Sequence, residues 1–260
     1  MDRVRNVLAG RWQRAFLVTF LLLASSLLIM LIEYAASLIL GAPLLVDMAN
    51  TPTVAIDDVP NASLDALLCV TGAAIAHFLL VSPLEYGVSG WYRSLVNSRG
   101  SDSFDVLMFF SSMRRTVAAL KLKASIILRC SAWSVVFLAV PTGFMSAAFL
   151  LLGERGESLF FKGAVLSSLV LMTLAAAMCF WYCQRYALVG YVFALSPEVS
   201  VSYAVRRSVT AMRGHRGELF ALKLKLVGYY LAERLVIPAF YAIPMRMTAL
   251  AVFADDRLKN

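Results

Sequence analysis

Charged residues are scarce in this chain. Of its 260 residues, 15% are Asp, Glu, Lys or Arg and 60% are hydrophobic, whereas soluble globular domains carry about 25% charged residues. This composition excludes a soluble domain and predicts an integral membrane protein. The net charge of +8 would suggest nucleic-acid binding in a soluble protein, but the chain has no aromatic-basic nucleic-acid motif. Membrane topology explains the positions of the basic residues, so we predict no nucleic-acid partner.

Catalytic motifs are also missing. The sequence contains no Gly-rich phosphate loop, no HExxH, no nucleophile elbow and no pair of carboxylates that resembles an acid/base site. We therefore predict a protein that is not an enzyme and has no cofactor. The cysteines all fall inside apolar runs, and we interpret them as small core residues. Cys179 and Cys183 share a helix face, but two thiols without His or acidic neighbours make a poor metal site. The cysteines are Cys69, Cys130, Cys179 and Cys183.

Five apolar runs are present, and each is long enough to cross about 30 Å of hydrocarbon. The runs are Ala15–Leu40, Leu64–Tyr92, Ala124–Leu152, Gly163–Leu195 and Leu224–Phe253. The first is too long for a cleavable signal peptide. We predict an all-α fold, a polytopic transmembrane helical bundle of five or six spans in which residues 1–260 form one integral membrane domain. Several runs exceed the ~20 residues of one span, so we expect breaks at Pro141, Pro238 and Pro244.

The charges of the connecting segments alternate along the chain. The tail up to Arg14 has four arginines against one aspartate, and the segments 93–123 and 197–225 each have six basic against two acidic residues. The segment 41–65 has four aspartates and no basic residue, and 153–162 is neutral. By the positive-inside rule, the N-terminus and the two basic segments are cytoplasmic. Five spans would then place the C-terminus outside, whereas a hairpin at Pro238 and Pro244 would return it to the cytoplasm.

Short matching blocks indicate an internal repeat. Tyr86–Trp91 matches Tyr186–Tyr191 at an offset of 100 residues, and Ala119–Lys123 matches Ala221–Lys225 at an offset of 102. A polar segment lies between the blocks in each case. We predict a duplicated two-helix unit, with one copy at about 64–152, the other at about 163–253, and the first span, 15–40, outside the repeat. Two spans per unit give both copies the same orientation, which is the parallel type of repeat.

The polar segment Ser196–Lys225 is predicted to contain a basic amphipathic helix, with a fainter copy at Asp102–Arg115. Ser196 suits the N-cap, Pro197 suits the first helical position, and Gly214 suits the C-terminal stop. Such a helix either lies in the headgroup layer with its arginines toward lipid phosphates, or packs on its own membrane domain. The candidate residues for contact with lipid headgroups or a partner are Arg206, Arg207, Arg213, His215 and Arg216.

Ionisable side chains within the apolar runs form a candidate intramembrane polar network. A charge near the centre of a span costs about 2.5–3.5 kcal/mol, so these residues are expected to pair, or to face a cavity or the interface. We predict that the acid of the first or the second run pairs with Arg234, and that Arg129 or Arg185 pairs with Glu233. We interpret His77 as a hydrogen-bonded core histidine, with a proton relay as the alternative. The full set is Glu33, His77, Glu85, Arg129, Arg185, Glu233 and Arg234.

The same regions resemble a known group. The stretch Tyr191–Phe220 resembles the C-terminal signature of the bacterial membrane proteins called domain of unknown function 975, through Ser196-Pro197, Ala204, Ser208, Met212, Gly214-His215 and Leu219-Phe220. The chain is more distantly similar to the membrane domain of glycerophosphodiester phosphodiesterases. The resemblance covers about 83–253 and departs from the pattern at Arg216-Gly217. It implies a bacterial polytopic membrane protein with no assigned activity, so no catalytic residues transfer.

Two functional hypotheses remain. The leading one is a non-enzymatic protein of the bacterial cytoplasmic membrane that organises or assists other envelope components through its basic cytoplasmic face. Its expected partners are the bilayer, anionic lipid headgroups at that face, and a membrane-protein partner or a second copy of the chain. The alternative is a small-solute or lipid transporter or channel that uses the intramembrane charges.

Overall fold

The computed structural model describes residues 2–40, 59–97, 102–152, 159–195 and 198–259. Every regular element in these ranges is helical, as predicted. The elements are α1 (Asp2–Leu8), α2 (Trp12–Leu40), α3 (Val59–Val96), a 3-10 helix at Ser103–Phe109, α4 (Met113–Leu152), α5 (Leu159–Cys183), a 3-10 turn at Gln184–Tyr186, α6 (Val189–Leu195), α7 (Val201–Ala211), α8 (Arg216–Lys225), α9 (Val227–Ala232) and α10 (Val236–Lys259). The aspartates at 47, 57 and 58 and the neutral segment before Leu159 lie outside the described residues.

Four helical stretches of the described chain are long and apolar enough to cross a membrane. They are Trp12–Ala35, Met113–Leu150, Phe160–Ala194 and Ile237–Lys259. Each overlaps one of the predicted runs, in agreement with a membrane protein. The predicted span at Leu64–Tyr92 is not among them. It lies in α3, which carries His77 and Glu85 and is largely buried in protein from Val81 to Leu95.

The predicted proline breaks are mostly wrong. Pro141 lies inside α4 and Pro244 lies inside α10, and both helices continue through the proline. Membrane helices tolerate proline because neighbouring groups satisfy the freed backbone carbonyl. The interruption near Pro238 falls instead at 233–235, between α9 and α10, and the proline occupies the first turn of α10, where it costs no helical hydrogen bond. The last predicted run is therefore divided between the short helix α9 and α10, and α10 contains its candidate span.

The chain divides into two compact units. Unit 1 contains Met1–Leu120 and Leu226–Asp256, and unit 2 contains Lys121–Lys225 and Arg257–Asn260. The boundaries of these units cut through both predicted repeat copies. The single integral membrane domain stays a prediction. The duplication itself stays a prediction.

In unit 1, the first and last helices meet. Arg3 donates two hydrogen bonds to the Asp256 carboxylate, each 3.0 Å long. Arg93 Nε lies 3.7 Å from Asp255 Oδ1, and these two side chains are 7% and 2% exposed. Asn97 Nδ2 also donates to Asp255, at 3.2 Å. The start of α1 and the ends of α3 and α10 therefore lie together in unit 1. The number of spans and the side of the C-terminus stay predictions.

The 3-10 helix of unit 1 packs tightly on α3. Asp102 caps it and shares a capping box with Asp105, and a Cβ atom at Gly87 would overlap the Val106 carbonyl oxygen. Only glycine permits so close an approach. The amphipathic helix predicted at Asp102–Arg115 is therefore a short 3-10 helix followed by the first turn of α4.

In unit 2, α4 and α5 form an antiparallel pair. The rings of Phe149 and Phe161 lie 5.4 Å apart near one end of the pair. The rings of Trp133 and Tyr182 lie 4.2 Å apart near the other end. This pair ends at the 3-10 turn, which leads into α6 and α7.

Candidate functional site

The basic segment forms a helix that begins later than predicted. The N-cap of α7 is Ser200, whose Oγ accepts a hydrogen bond of 3.2 Å from the Tyr203 amide. Ser196 and Pro197 lie outside the described residues, and Glu198 lies in a turn before the helix. The predicted stop is confirmed, because α7 ends at Ala211 and Gly214 has a φ of 78°, in the left-handed region that glycine favours.

The apolar face of α7 packs on unit 2. Ala204, Val205 and Ser208 are buried, and the helix contacts α6 and the 3-10 turn. Ser208 Oγ donates to the Arg185 carbonyl at 2.8 Å, and Arg207 Nη2 donates to the Leu258 carbonyl at 3.0 Å. The alternative in which this face inserts into the headgroup layer is therefore wrong, because protein already covers it.

The cations of this segment fall into two groups. Arg206 and Arg213 are exposed, and neither forms an ion pair within the described residues. His215 Nδ1 instead lies 3.0 Å from Glu218 Oε1, and Arg257 also pairs with Glu218. The hydrogen bond to His215, together with Arg257, lowers the pKa of the Glu218 carboxyl. His215 therefore has an intramolecular partner, and its predicted contact with lipid headgroups stays a prediction.

The predicted intramembrane network does not assemble as one cluster. Glu233 pairs with Arg246 within unit 1, and the Arg246 guanidinium lies 4.9 Å from the centre of the Tyr230 ring. The sequence predicted Arg129 or Arg185 as the partner of Glu233; these arginines belong to unit 2, and that pairing stays a prediction. Arg246 was missed, although it lies in the same apolar run as Glu233 and its charge could have marked it. The fold back from α9 to α10 brings the two together.

Arg185 has an aromatic environment. Its guanidinium carbon lies 3.8 Å from the centre of the Tyr182 ring, 4.9 Å from that of Tyr186 and 5.1 Å from that of Trp133. Arg216 approaches the same Tyr182 ring at 5.6 Å. Cation–π contacts stabilise a guanidinium without a carboxylate. The sequence pattern gave no sign that Arg185 and Arg216, from the two separately predicted sets, would share a ring.

The remaining members of the predicted network lie apart from these contacts. Arg129 is exposed, and its Nε donates to Ser125 in the same helix at 3.2 Å. His77 is exposed, so it is not a core histidine of its unit, and Glu33 and Glu85 are half-buried. Neither Glu33 nor Arg234 has an ion-pair partner within the described part of the chain, so the predicted pair between them is absent there.

The protein-family comparison matches residues 2–256 with the family described as Protein of unknown function (DUF975). The chain belongs to the DUF975 family. The match extends beyond the stretch on which the sequence resemblance was based and includes α1 and α2. No curated protein and no solved structure matches the chain. The distant similarity to phosphodiesterase membrane domains stays a prediction.

This DUF975 chain has an apolar groove in unit 1. The groove encloses about 500 Å³ between α2 and the α9–α10 junction. Leucines of α2, Phe20 and Phe240 form most of its wall, and Glu233 and Arg234 are the charged residues that line it. Because Glu233 is paired with Arg246, Arg234 is the uncompensated charge of the groove.

The cysteines of α4 and α5 lie close together in unit 2. Cys130, Cys179 and Cys183 are free thiols; Cys183 contacts the other two, and Ser134 Oγ lies 3.4 Å from Cys179 Sγ. Among the described residues, no group of three His, Cys, Asp or Glu side chains has the geometry to hold a metal ion. The Cys69 side chain lies outside the described part. The described thiols thus pack as small polarisable side chains within a helix pair.

Proposed function

We propose that this DUF975 protein is a non-enzymatic, multi-pass protein of the bacterial cytoplasmic membrane. Its basic cytoplasmic face, defined as Arg206 and Arg213 of α7 and the turn after it, binds anionic lipid headgroups and so holds other envelope components near the membrane surface. The observation that carries the proposal is the position of these two arginines, which are exposed and lack ion pairs within the described residues.

The construction of α7 supports this role. One side of the helix is fixed by the packing of Ala204 and Val205, which are 0% and 3% exposed. The hydrogen bond from Ser208 Oγ to the Arg185 carbonyl also holds it. A fixed helix orients its outward arginines at little further entropic cost. Each arginine near an anionic membrane surface contributes about 1 kcal/mol of attraction, so two such residues make a measurable preference for anionic lipid.

The test is the lipid composition of the shell around the reconstituted full chain. Spin-labelled phosphatidylglycerol and phosphatidylcholine would be compared by electron paramagnetic resonance in mixed bilayers. The double variant R206Q/R213Q should weaken the preference for phosphatidylglycerol by about 2 kcal/mol in total at low salt, and high salt should reduce the wild-type preference.

The matched control is R206K/R213K, which keeps both charges. It should retain the preference, because headgroup attraction at this face is electrostatic. An unchanged preference in R206Q/R213Q, or an equal loss in the lysine variant, would contradict the proposed contact.

A second candidate function, transport of a lipid or small solute, is favoured by the groove in unit 1. A mostly apolar cavity of about 500 Å³ with one uncompensated cation suits an amphiphile with an anionic head. Proteoliposomes with fluorescent phosphatidylglycerol would measure its passage between leaflets. Transport that is lost in R234Q and kept in R129Q would establish this function. Passage at the rate of protein-free vesicles would exclude lipid transport.

A further inference from the structure

The guanidinium of Arg185 lies among aromatic rings, with its hydrogen-bond donors unused. Its Nε is buried and has no partner among the described residues, and no ion pair or hydrogen bond from its other nitrogens is present there. The preceding residue, Gln184, is 3% exposed, and neither atom of its side-chain amide has a partner within the described chain. Each buried polar group without a hydrogen-bonding partner costs about 1–3 kcal/mol of folding free energy. This turn therefore contains polar groups whose hydrogen bonds a bound ligand could supply.

The position of Arg185 along the helix pair matches a bilayer interface. The stretch from Trp133 to the end of α4 has about 20 residues and is roughly 30 Å long, which is one hydrocarbon thickness. The stretch of α5 from Phe160 to Tyr182 is of similar length. Trp133, Trp181, Tyr182 and Tyr186 all lie at the same end of this pair, and tryptophan and tyrosine concentrate where a membrane meets water. Arg185 is therefore expected at the level of the headgroups and not at the bilayer centre.

A second cation is close by. Arg216 and Arg185 both approach the Tyr182 ring, at 5.6 Å and 3.8 Å from its centre, so their charges act on the same small region. Neither pairs with a described carboxylate, since Glu218, the acid of α8, is engaged by His215 and Arg257. The planar fork of an arginine matches two oxygens of one phosphate, and the aromatic rings keep the fork in a fixed plane.

We propose that Arg185 and Arg216 form a binding site for a phosphate oxyanion, with the phosphodiester of an anionic phospholipid as its source. Arg185 donates the fork, Tyr182 holds both guanidinium groups, and Arg216 adds the second charge. The inference extends the proposed function, because it names the chemistry recognised next to the same basic face. It differs from that function in being a site for one molecule and not a general attraction to the membrane.

The test is native mass spectrometry of the full chain in a neutral detergent. The probes are phosphatidylglycerol, phosphatidylcholine, oleate as an anion without phosphate, and inorganic phosphate. We expect one tightly held phosphatidylglycerol. R185M should lower its affinity about tenfold or more, which corresponds to the loss of a charged hydrogen bond. R185K keeps the charge without the fork and should lie between the two.

The matched control is R129M, which removes another arginine from the apolar helix pair of unit 2 and should leave the affinity unchanged. Should R185M fail to fold, R185K and Y182L test the same site. Inorganic phosphate bound in an Arg185-dependent way, without phosphatidylglycerol, would support the site with a soluble source. Equal Arg185-dependent binding of oleate, or phosphatidylglycerol binding that survives both Arg185 variants, would overturn it.

Different variants test the basic face and the phosphate site, so one proposal can fail while the other stands. R206Q/R213Q should lose the preference of the lipid shell but keep the single bound phosphatidylglycerol. Loss of that molecule in R206Q/R213Q with retention in R185M would contradict the phosphate site and leave the basic face supported.

Discussion

Three arginines of unit 1 have carboxylate partners, whereas three arginines of unit 2 have none among the described residues. In unit 1, Arg3, Arg93 and Arg246 each meet a carboxylate, and one of these pairs is almost fully buried. In unit 2, Arg257 is paired with Glu218, but Arg185, Arg206 and Arg213 have no carboxylate among the described residues. A cation with an internal partner contributes to packing, whereas a cation without one remains available to a ligand. Arg234 of unit 1 also lacks an ion-pair partner among the described residues, so we infer recognition by unit 2 from the grouping of Arg185 and Arg216 at one ring and not from unpaired arginines alone.

The blocks matched by the predicted repeat show the same contrast. Glu85-Tyr86-Gly87 aligns with Arg185-Tyr186-Ala187, and both tyrosines are buried, at 6% and 7% exposed. At the first block, the 3-10 helix lies directly on Gly87. At the second, the charge is reversed and the side chain of Arg185 lies against aromatic rings. If the blocks derive from a duplication, the 3-10 helix covers the first copy at Gly87, whereas the second copy has a cation, Arg185, against aromatic rings.

The largest expected effect is the loss of an internal pair in unit 1. E233Q leaves Arg246 half-buried without its carboxylate, so unfolding should become easier by on the order of 2–3 kcal/mol. This is below the value for a fully buried pair, since the two side chains are 19% and 16% exposed. Thermal unfolding in detergent micelles would measure it.

The double variant E233Q/R246M is the control for that experiment. It removes both charges and should recover most of the lost stability, because no uncompensated charge remains. An E233Q protein as stable as wild type would show that the pair does not stabilise the fold. It would contradict the structural role assigned to the paired arginines of unit 1.

A smaller effect is expected at the close contact on α3. G87A places a methyl group onto the Val106 carbonyl and should destabilise unit 1 by about 1–3 kcal/mol through overpacking. G72A is the matched control in the same helix, since a Cβ there has no neighbour within 4 Å, and it should stabilise slightly, by about 0.5–1 kcal/mol. If both variants unfold at the same temperature, the 3-10 helix does not depend on this approach.

Some features of the fold follow from composition and local pattern. Apolar runs of sufficient length predict membrane helices because the bilayer requires internal backbone hydrogen bonds, and four of the five runs correspond to such helices. Gly214 was predictable as a helix stop because its residue type suits a left-handed backbone. The residues of α7 that turn inward, Ala204, Val205 and Ser208, also follow from helical periodicity.

The contacts between helices could not be read in the same way. Glu233 pairs with Arg246 because the chain turns at 233–235, and a proline three residues later does not mark that turn. Arg185 and Arg216 meet at one ring because α5 and α8 lie together, a relation that sequence spacing does not contain. Local periodicity shows which side of a helix is buried, but it does not show which neighbouring helix covers that side.

The most direct test is the stabilisation that phosphatidylglycerol gives relative to phosphatidylcholine, measured as the difference in unfolding temperature in nanodiscs. The wild-type chain should unfold at a higher temperature in phosphatidylglycerol. R246M should unfold earlier in both lipids and keep that difference, whereas R185M should unfold near the wild-type temperature in phosphatidylcholine and lose the part of the difference that comes from the single bound phosphatidylglycerol. A full difference retained in R185M would contradict the assignment of recognition to unit 2.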